Sequence, residues 1–207
     1  MRAQQGVAAV IHLIHGIHTS DKDNVTAKLA PAFRQVHGAE NVLVRKYGYA
    51  LALTTGLTNF LNKRRAERLA KLIKPGDSIV AHSNGCAIAW LIDSEYVEHL
   101  DSVILIQPAL DSWRTFENTS RVLVLYNDED EVVGASTLGF CSAWGDMGKT
   151  GYTGALGNVE QWNTKVPPHL LLPYAGHSGI VESDAHRQQW GMAMANWMFN
   201  WEGGENG

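Results

Sequence analysis

The sequence predicts an α/β fold: a three-layer sandwich in which helices cover both faces of a mostly parallel sheet of about six strands. Two observations carry this prediction. Short runs rich in valine, isoleucine and leucine alternate along the 207 residues with longer segments whose apolar residues recur at helical spacing. In the middle of the chain, one such run passes into a helical segment at Ser83 with almost no loop between them.

Six apolar runs are the predicted strands. Their near-continuous hydrophobicity is typical of strands that are buried on both faces of a sheet. They cover Val7–Ile14, Asn41–Gly48, Ser78–His82, Ser102–Gln107, Arg121–Tyr126 and His169–Tyr174. Because proline cannot donate a hydrogen bond to a neighbouring strand, Pro173 favours the end of the sixth strand or an edge position.

Helical patterns lie between and after these strands, over about residues 25–37, 58–74, 86–92 and 183–200. The last helix carries a stripe of large apolar residues on one face. Its helical spacing indicates protein core and not a platform on which nucleic-acid bases stack. The members of the stripe are Trp190, Ala193, Met194, Trp197, Met198 and Trp201.

The length of the chain suits one domain over residues 1–207. One segment, a glycine-rich insertion at about 140–168, resists assignment to a strand or a helix. Its glycines recur at every third position from Gly145 to Gly157. A collagen-like structure is excluded because the run is short and lacks proline between the glycines. A compact, turn-rich loop is the simplest interpretation.

The composition argues against several classes of function. A formal net charge of −4 and an isoelectric point near 6.1 give no electrostatic basis for binding nucleic acid or an anionic membrane. No stretch approaches the roughly 20 apolar residues of a membrane span. The first apolar run, broken by His12 and His15, is a poor signal-peptide core. We therefore expect a cytoplasmic protein, and the sequence leaves its oligomeric state open.

Ser83 lies at the corner between the third strand and the helix that follows. Ala81 stands two residues before it and Gly85 two residues after it. Only such small side chains fit where the two backbones pass close together. The tight turn lifts the serine hydroxyl above the sheet and points the N–H of Asn84 at the same place. A pattern this short is common by chance, so it needs partners elsewhere in the chain.

A histidine and a set of carboxylates supply candidate partners. A serine hydroxyl is a weak nucleophile that needs a base, and the base needs an orienting acid. In a parallel sheet these groups should follow the carboxyl ends of strands. His177 follows the sixth strand in a tight loop of small residues and is the candidate base. His82 and His186 are alternatives by residue type, but one adjoins the serine and the other lies inside the last helix.

Four acidic residues in a row follow the fifth strand. Asp130 is preferred as the orienting acid, because the apolar pair Val132 and Val133 anchors the chain after it and leaves Asp130 at the inward end of the loop. Asp128 is the alternative. The other two acids are interpreted as solvated loop or helix N-terminus.

The loop after the first strand supplies a candidate anion site. Gly16 lets the backbone turn, and the N–H of Ile17 can then point toward Ser83. Together with the N–H of Asn84 it would form an oxyanion hole of two donors.

Three histidines at spacing three, His12, His15 and His18, invite a metal-site interpretation. The spacing scatters them over both faces of a strand and into a loop, and no cluster of carboxylates accompanies them. We expect neither a metal nor a cofactor. The two cysteines, Cys86 and Cys141, make no disulfide framework.

Four stretches together resemble the α/β-hydrolase superfamily, in particular its small lidless esterases and lipases. They are Ile14–Ile17, Ala81–Gly85, Asp130–Val133 and Gly176–Ser178. An alanine at the position of Ala81 is a known variant in those small lipases. The resemblance implies a cofactor-free enzyme for a small-molecule ester, with Ser83 as nucleophile, His177 as base, Asp130 as acid, and Ile17 and Asn84 as oxyanion donors.

The departures from the family pattern are informative too. Only residues 109–120 separate the fourth and fifth strands, where larger members insert a lid. Extra length lies instead between Asp130 and His177, and we expect that segment to border the pocket. The expected function is cleavage of a carboxylic ester or thioester through an acyl-enzyme on Ser83. The alternatives are the same triad acting on an amide, and a catalytically silent binding or regulatory module.

Overall fold

Six strands form one sheet in the computed structural model, which describes residues 9–16, 24–47, 55–132, 145–168 and 171–200, with only the backbone of residues 55–57. The strands are β1 (Ile11–Ile14), β2 (Val42–Arg45), β3 (Ser78–His82), β4 (Leu100–Ile106), β5 (Thr119–Tyr126) and β6 (Val159–Asn163). Their order is β2-β1-β3-β4-β5-β6, and every neighbouring pair is parallel. The predicted α/β class and the parallel sheet are confirmed.

Helices cover both faces of the sheet. They are α1 (Val25–His37), α2 (Thr55–Ala70), α3 (Asn84–Glu95), the single turn α4 (Met147–Thr150) and α5 (Asp184–Phe199). Helix α1 packs on α5 at one face, and α2 packs on α3 at the other. Two of these helices begin where side-chain caps satisfy a free N–H: Asn24 accepts from Ala27, and Ser183 accepts from His186.

Successive residues of the central strands enter opposite faces, as the period of a strand requires. Val80 and Ile104 pack toward α1 and α5, around the fully buried Trp190. Ala81 and Leu105 pack toward α2 and α3. The tryptophan stripe of the last helix is core, as predicted, for Trp190, Met194, Trp197 and Met198; Ala193 is only half-buried, and Trp201 lies outside the described residues.

The position predicted for the sixth strand is wrong. Strand β6 is Val159–Asn163, inside the segment expected to be an insertion, whereas the described residues of the predicted strand, 171–174, form no strand. The apolar run misled because two of its side chains, Leu171 and Tyr174, pack into the core beside α5, where Tyr174 lies 5.0 Å from Trp190 between ring centres. The true strand lies at the sheet edge, so Glu160 and Gln161 are exposed and its pattern is polar.

The glycine-rich segment is part of the sheet's crossover, not a separate loop. Its turn α4 is held to the end of β4, because the N–H groups of Met147 and Gly148 donate to the carbonyls of Leu110 and Pro108, each at 2.9 Å. A side chain on Gly145 would overlap the backbone of Asp111, while a Cβ on Gly157 meets nothing within 4 Å. The three-residue period therefore marks no repeating structure. Residues 140–144 lie outside the described part of the chain.

The connection between β4 and β5 spans only residues 107–118, so no lid is inserted there, as predicted. None of the helices described is long and apolar enough to cross a lipid bilayer. Cys86 is a buried free thiol, and Cys141 lies outside the described residues.

The close packing of α1 on α5 gives a test of the fold. A Cβ on Gly191 would lie 2.6 Å from the Cβ of Ala32. We expect Gly191→Val to lower the free energy of unfolding by about 1–3 kcal/mol, because overpacking forces the two helices apart. Urea denaturation measures the loss. The control is Gly157→Val, where the added side chain has open space, and equal stabilities of the two variants would contradict this packing.

Candidate active site

Ser83 occupies a strained turn between β3 and α3. Its φ of 56° and ψ of −127° place a non-glycine residue in the left-handed region, at a cost of about 1–3 kcal/mol. The surroundings hold it there: its N–H donates to the carbonyl of Ile106 at 3.0 Å, and its own carbonyl accepts from Cys86 and Ala109. The predicted turn is thus present, with Ser83 largely buried and directly ahead of the helix.

Two glycines make room for this turn. A Cβ on Gly16 would lie 2.9 Å from the Cβ of Ser83, so the loop after β1 passes directly against the serine. A Cβ on Gly85 would lie 2.6 Å from the carbonyl oxygen of His15. The ring of His15 stacks on Tyr47 at 4.2 Å between centres, which anchors the start of that loop. Ile17, the predicted oxyanion donor, lies outside the described residues.

His177, which is partly exposed, pairs with the buried Asp130. The Nδ1 atom of His177 lies 2.9 and 3.1 Å from the two carboxylate oxygens of Asp130, whose side chain is completely buried. A carboxylate can only accept, so the pair holds the imidazole with its proton on Nδ1 and leaves Nε2 free of that proton. Asp128, the alternative acid, instead pairs with Lys165 at 3.2 Å on the surface.

The loop that carries His177 belongs to no strand. Gly176, just before the histidine, has a φ of +72°, and its carbonyl accepts from the side-chain amide of Asn127 at 3.3 Å. Farther back, the N–H of Tyr174 donates to the carbonyl of Thr164 at 2.9 Å. The loop is therefore held by hydrogen bonds from the ends of strands.

His82, the last residue of β3, lies against this loop. Its Nε2 atom is 2.9 Å from the carbonyl oxygen of His177, and the two rings are 4.8 Å apart between centres. A carbonyl only accepts, so Nε2 carries a proton. Burial, reinforced by the nearby His177, lowers the pKa of His82 to about 3. The other nitrogen, Nδ1, is buried and has no hydrogen-bond partner among the described residues.

Gln107 is a second strained residue that sequence reasoning missed. It follows β4 with a φ of 41° and is completely buried, and its Oε1 accepts from the hydroxyl of Tyr174 at 3.0 Å. No local signal predicts this conformation, since the following Pro108 favours an extended backbone for Gln107. Strained non-glycine residues cluster at functional sites.

Asn84 is fixed by a partner that sequence reasoning also missed. Its side-chain amide exchanges two hydrogen bonds with that of Asn62 on α2, at 2.9 and 3.0 Å, and both residues are buried. The pair ties α2 to the first turn of α3. The backbone N–H of Asn84 is the first of that helix, so it has no acceptor within the helix.

The other histidines considered as a base or as metal ligands include two, His12 and His186, with structural partners. His12 lies between two charged groups, with Nε2 2.9 Å from a carboxylate oxygen of Asp77 and Nδ1 accepting from Arg45 at 2.8 Å. Burial lowers the pKa of His12. His186 contacts the hydroxyl of Ser183 at the start of α5. His18 lies outside the described residues, and within them no group of three or more potential ligands could hold a metal ion.

A cavity of about 490 Å³ lies between α2, α3 and the loop after β4. Ser83 and His177 do not line it; its lining includes Ala87 on the first turn of α3 and Ala109, whose N–H donates to the carbonyl of Ser83 at 3.3 Å. Its walls mix apolar and charged side chains, including Phe60, Trp90, Leu110, Lys63, Glu95 and Arg114, and they include Gly145 of the glycine-rich segment.

The neutral state of His82 predicts a pH effect on stability. Its pKa falls from an ordinary value of 6.5 to about 3 on folding, so between these values the unfolded chain binds more protons. The free energy of unfolding should then fall as the pH is lowered through this window, by up to about 1.4 kcal/mol per pH unit for this one proton. His82→Gln should remove that contribution. Urea denaturation at about pH 7 and about pH 4.5 measures it, and parallel losses in both proteins would contradict it.

No family model matches the sequence, and no curated protein matches it. Its fold, however, is similar to those of solved structures. A protein from Pectobacterium atrosepticum described as a YdeN-like hydrolase superposes with a TM-score of 0.53 at 14% identity, over 93% of this chain and 91% of the other. A predicted CIB-like hydrolase from Thermoplasma acidophilum gives 0.54 at 14% identity, over 95% and 88%. Est1E from Butyrivibrio proteoclasticus superposes with a TM-score of 0.51 at 14% identity, over 95% of this chain and 90% of the other. The chain has the α/β-hydrolase fold.

Proposed function

We propose that this protein is a serine hydrolase that cleaves a carboxylic ester or thioester. Ser83 is the nucleophile, His177 the base, Asp130 the orienting acid, and the N–H groups of Asn84 and Ile17 the oxyanion donors. The observation that carries the proposal is the pairing of His177 with the buried Asp130, next to the residue directly before a strained serine. Two solved structures with this fold are described as hydrolases, which supports the same reaction class.

In the proposed acylation step, the Ser83 oxygen bonds to the substrate carbonyl carbon while Nε2 of His177 takes the hydroxyl proton. The negative charge moves to the carbonyl oxygen, which accepts from the two N–H groups. When the tetrahedral intermediate collapses, the bond to the leaving oxygen or sulfur breaks, and His177 gives its proton to the departing alcohol or thiol. Water, deprotonated by His177, then attacks the acyl carbon, the bond to the Ser83 oxygen breaks, and the acid is released as the serine regains its proton.

The environment of the pair suits this sequence of proton transfers. Asp130 is completely buried. Its carboxylate would stabilise the imidazolium that forms on His177 at each step. Asn84 lies at the first position of α3, where unsatisfied N–H groups and the helix dipole favour negative charge. One such donor contributes about 2.7–4 kcal/mol of transition-state stabilisation in a known oxyanion hole.

The cavity beside α3 is the proposed substrate pocket. Its lining includes Ala109, which is hydrogen-bonded to the carbonyl of Ser83, and its apolar walls fit an acyl chain or an aromatic leaving group. Its charged side chains are already neutralised, since Lys63 pairs with Glu95 at 2.7 Å and Arg114 with Asp111 at 3.2 Å. The pocket therefore favours an uncharged ester.

Covalent labelling tests the nucleophile. The wild-type protein should form one adduct with a fluorophosphonate probe, detected by intact-protein mass spectrometry, because the probe reacts with an activated serine. Ser83→Ala should form none. Ser178→Ala, which removes an exposed serine beside His177, should label like the wild type. A folded wild-type sample without label, or a labelled Ser83→Ala variant, would overturn the proposal and favour a catalytically silent module.

A pair of substitutions tests the acid. Asp130→Asn should lower kcat on a p-nitrophenyl ester by about 10²- to 10⁴-fold, because the amide no longer holds the required tautomer of His177. Asp128→Asn removes a surface charge and should change kcat by less than about twofold. Steady-state kinetics with folding verified by circular dichroism provide the measurement. If the larger loss follows Asp128→Asn, the role belongs to that residue.

A further inference from the structure

The position of His177 depends on what holds its backbone. Asp130 contacts only the Nδ1 side of the ring, which fixes the tautomer and the orientation of the imidazole plane. One contact at one end of a side chain leaves the distance from Nε2 to Ser83 undetermined. The loop has no strand to set that distance, and the glycine before the histidine adds conformational freedom. Asn127 holds the carbonyl of the preceding residue, Gly176, so a second contact that fixes the base itself has to act on the backbone of His177.

We propose that His82 is a positioning residue that supplies this second attachment. This inference rests on the reaction proposed above. Through Nε2–H it binds the backbone carbonyl of His177 at 2.9 Å, and it is covalently joined to Ser83 as the preceding residue. The nucleophile and the backbone of the base are thus linked through a single side chain.

His82 is well suited to be a fixed point. It lies in a central strand, paired with Ile106 of β4, and its ring is buried between the His177 loop and the loop that contains Gly16. A side chain in such a place has little freedom to follow motions of the loop. A displacement of His177 would have to break the hydrogen bond or move the strand.

The two ring nitrogens of His82 differ in their contacts, which distinguishes the residue from one that only packs. Among the described residues, Nδ1 is buried and has no hydrogen-bond partner, so the one hydrogen bond that the ring makes with them is that of Nε2 to the carbonyl of His177. Burial lowers the pKa of His82 to about 3, and Nε2 is a donor to the carbonyl in the neutral ring as it would be in the protonated one.

The matched test uses two amides of different length. In His82→Gln the side-chain N–H₂ reaches about as far as Nε2 and can still donate to the His177 carbonyl, whereas in His82→Asn it ends near the position of Nδ1. We expect Gln to keep kcat on a p-nitrophenyl ester within about threefold of wild type and Asn to lower it by about 10- to 100-fold, as misplacement of a reacting group by about 1 Å does. KM should change little in either variant.

Stability separates positioning from a structural role. The activity of each variant is divided by its folded fraction, which thermal denaturation determines. If His82 is only a packing residue, the corrected activities of the two amides are equal, and the inference is overturned. A change confined to KM overturns it as well.

A spectroscopic measurement on the wild-type protein tests the same hydrogen bond without relying on a variant that folds. Proton–nitrogen correlation spectra should show the ring of His82 protonated at Nε2 and unprotonated at Nδ1, independent of any turnover. The opposite tautomer would overturn the inference even in an active enzyme. If the tautomer is as expected but the wild type is neither labelled nor active, the proposed function fails, and the positioning role falls with it for that separate reason.

Discussion

The candidate base stands in a loop whose position depends on hydrogen bonds made by the ends of neighbouring strands. The carbonyl of Gly176 is held by Asn127, the carbonyl of His177 by His82, and the imidazole by Asp130. These three side chains come from β3 and from the turn after β5. The sheet thus sets the geometry of the site even though the loop itself pairs with no strand. Register between β3, β4 and β5 is the constraint on which the rest depends.

Strain is concentrated where these strands end. Ser83 and Gln107 follow adjacent strands and are the two non-glycine residues with positive φ in the described part of the chain. Each conformation is unfavourable by about 1–3 kcal/mol alone and persists only where the surroundings impose it. The N–H of Ser83 donates to β4 and the N–H of Gln107 donates to the carbonyl of Leu125 on β5. Both turns are therefore maintained by the same ladder that aligns the strands.

Much of this arrangement could be predicted from the sequence because its signals are local. The central strands are continuous apolar runs, and Ser83 between small residues marks a sharp turn into a helix. The preference for Asp130 over Asp128 also agrees with the geometry, since only Asp130 lies inside and contacts His177. Strand β6 could not be found in the same way, because an edge strand buries one face and leaves polar residues on the other. The partners Asn62, Gln107 and Asn127 carry no local signal, since each acts across a long separation in sequence.

The crossover from β5 to β6 carries the candidate acid at one end and a wall of the cavity in its middle. Asp130 stands at its start, Gly145 lines the cavity against Asp111, and α4 is bonded to the turn after β4. One continuous stretch of chain therefore holds both the carboxylate partner of His177 and part of the cavity wall. Insertions or deletions there would alter the cavity volume, and they would also displace Asp130 unless the hydrogen bonds of α4 kept it in place. Divergence in substrate preference within this architecture should accordingly proceed through the lining side chains more readily than through changes in length.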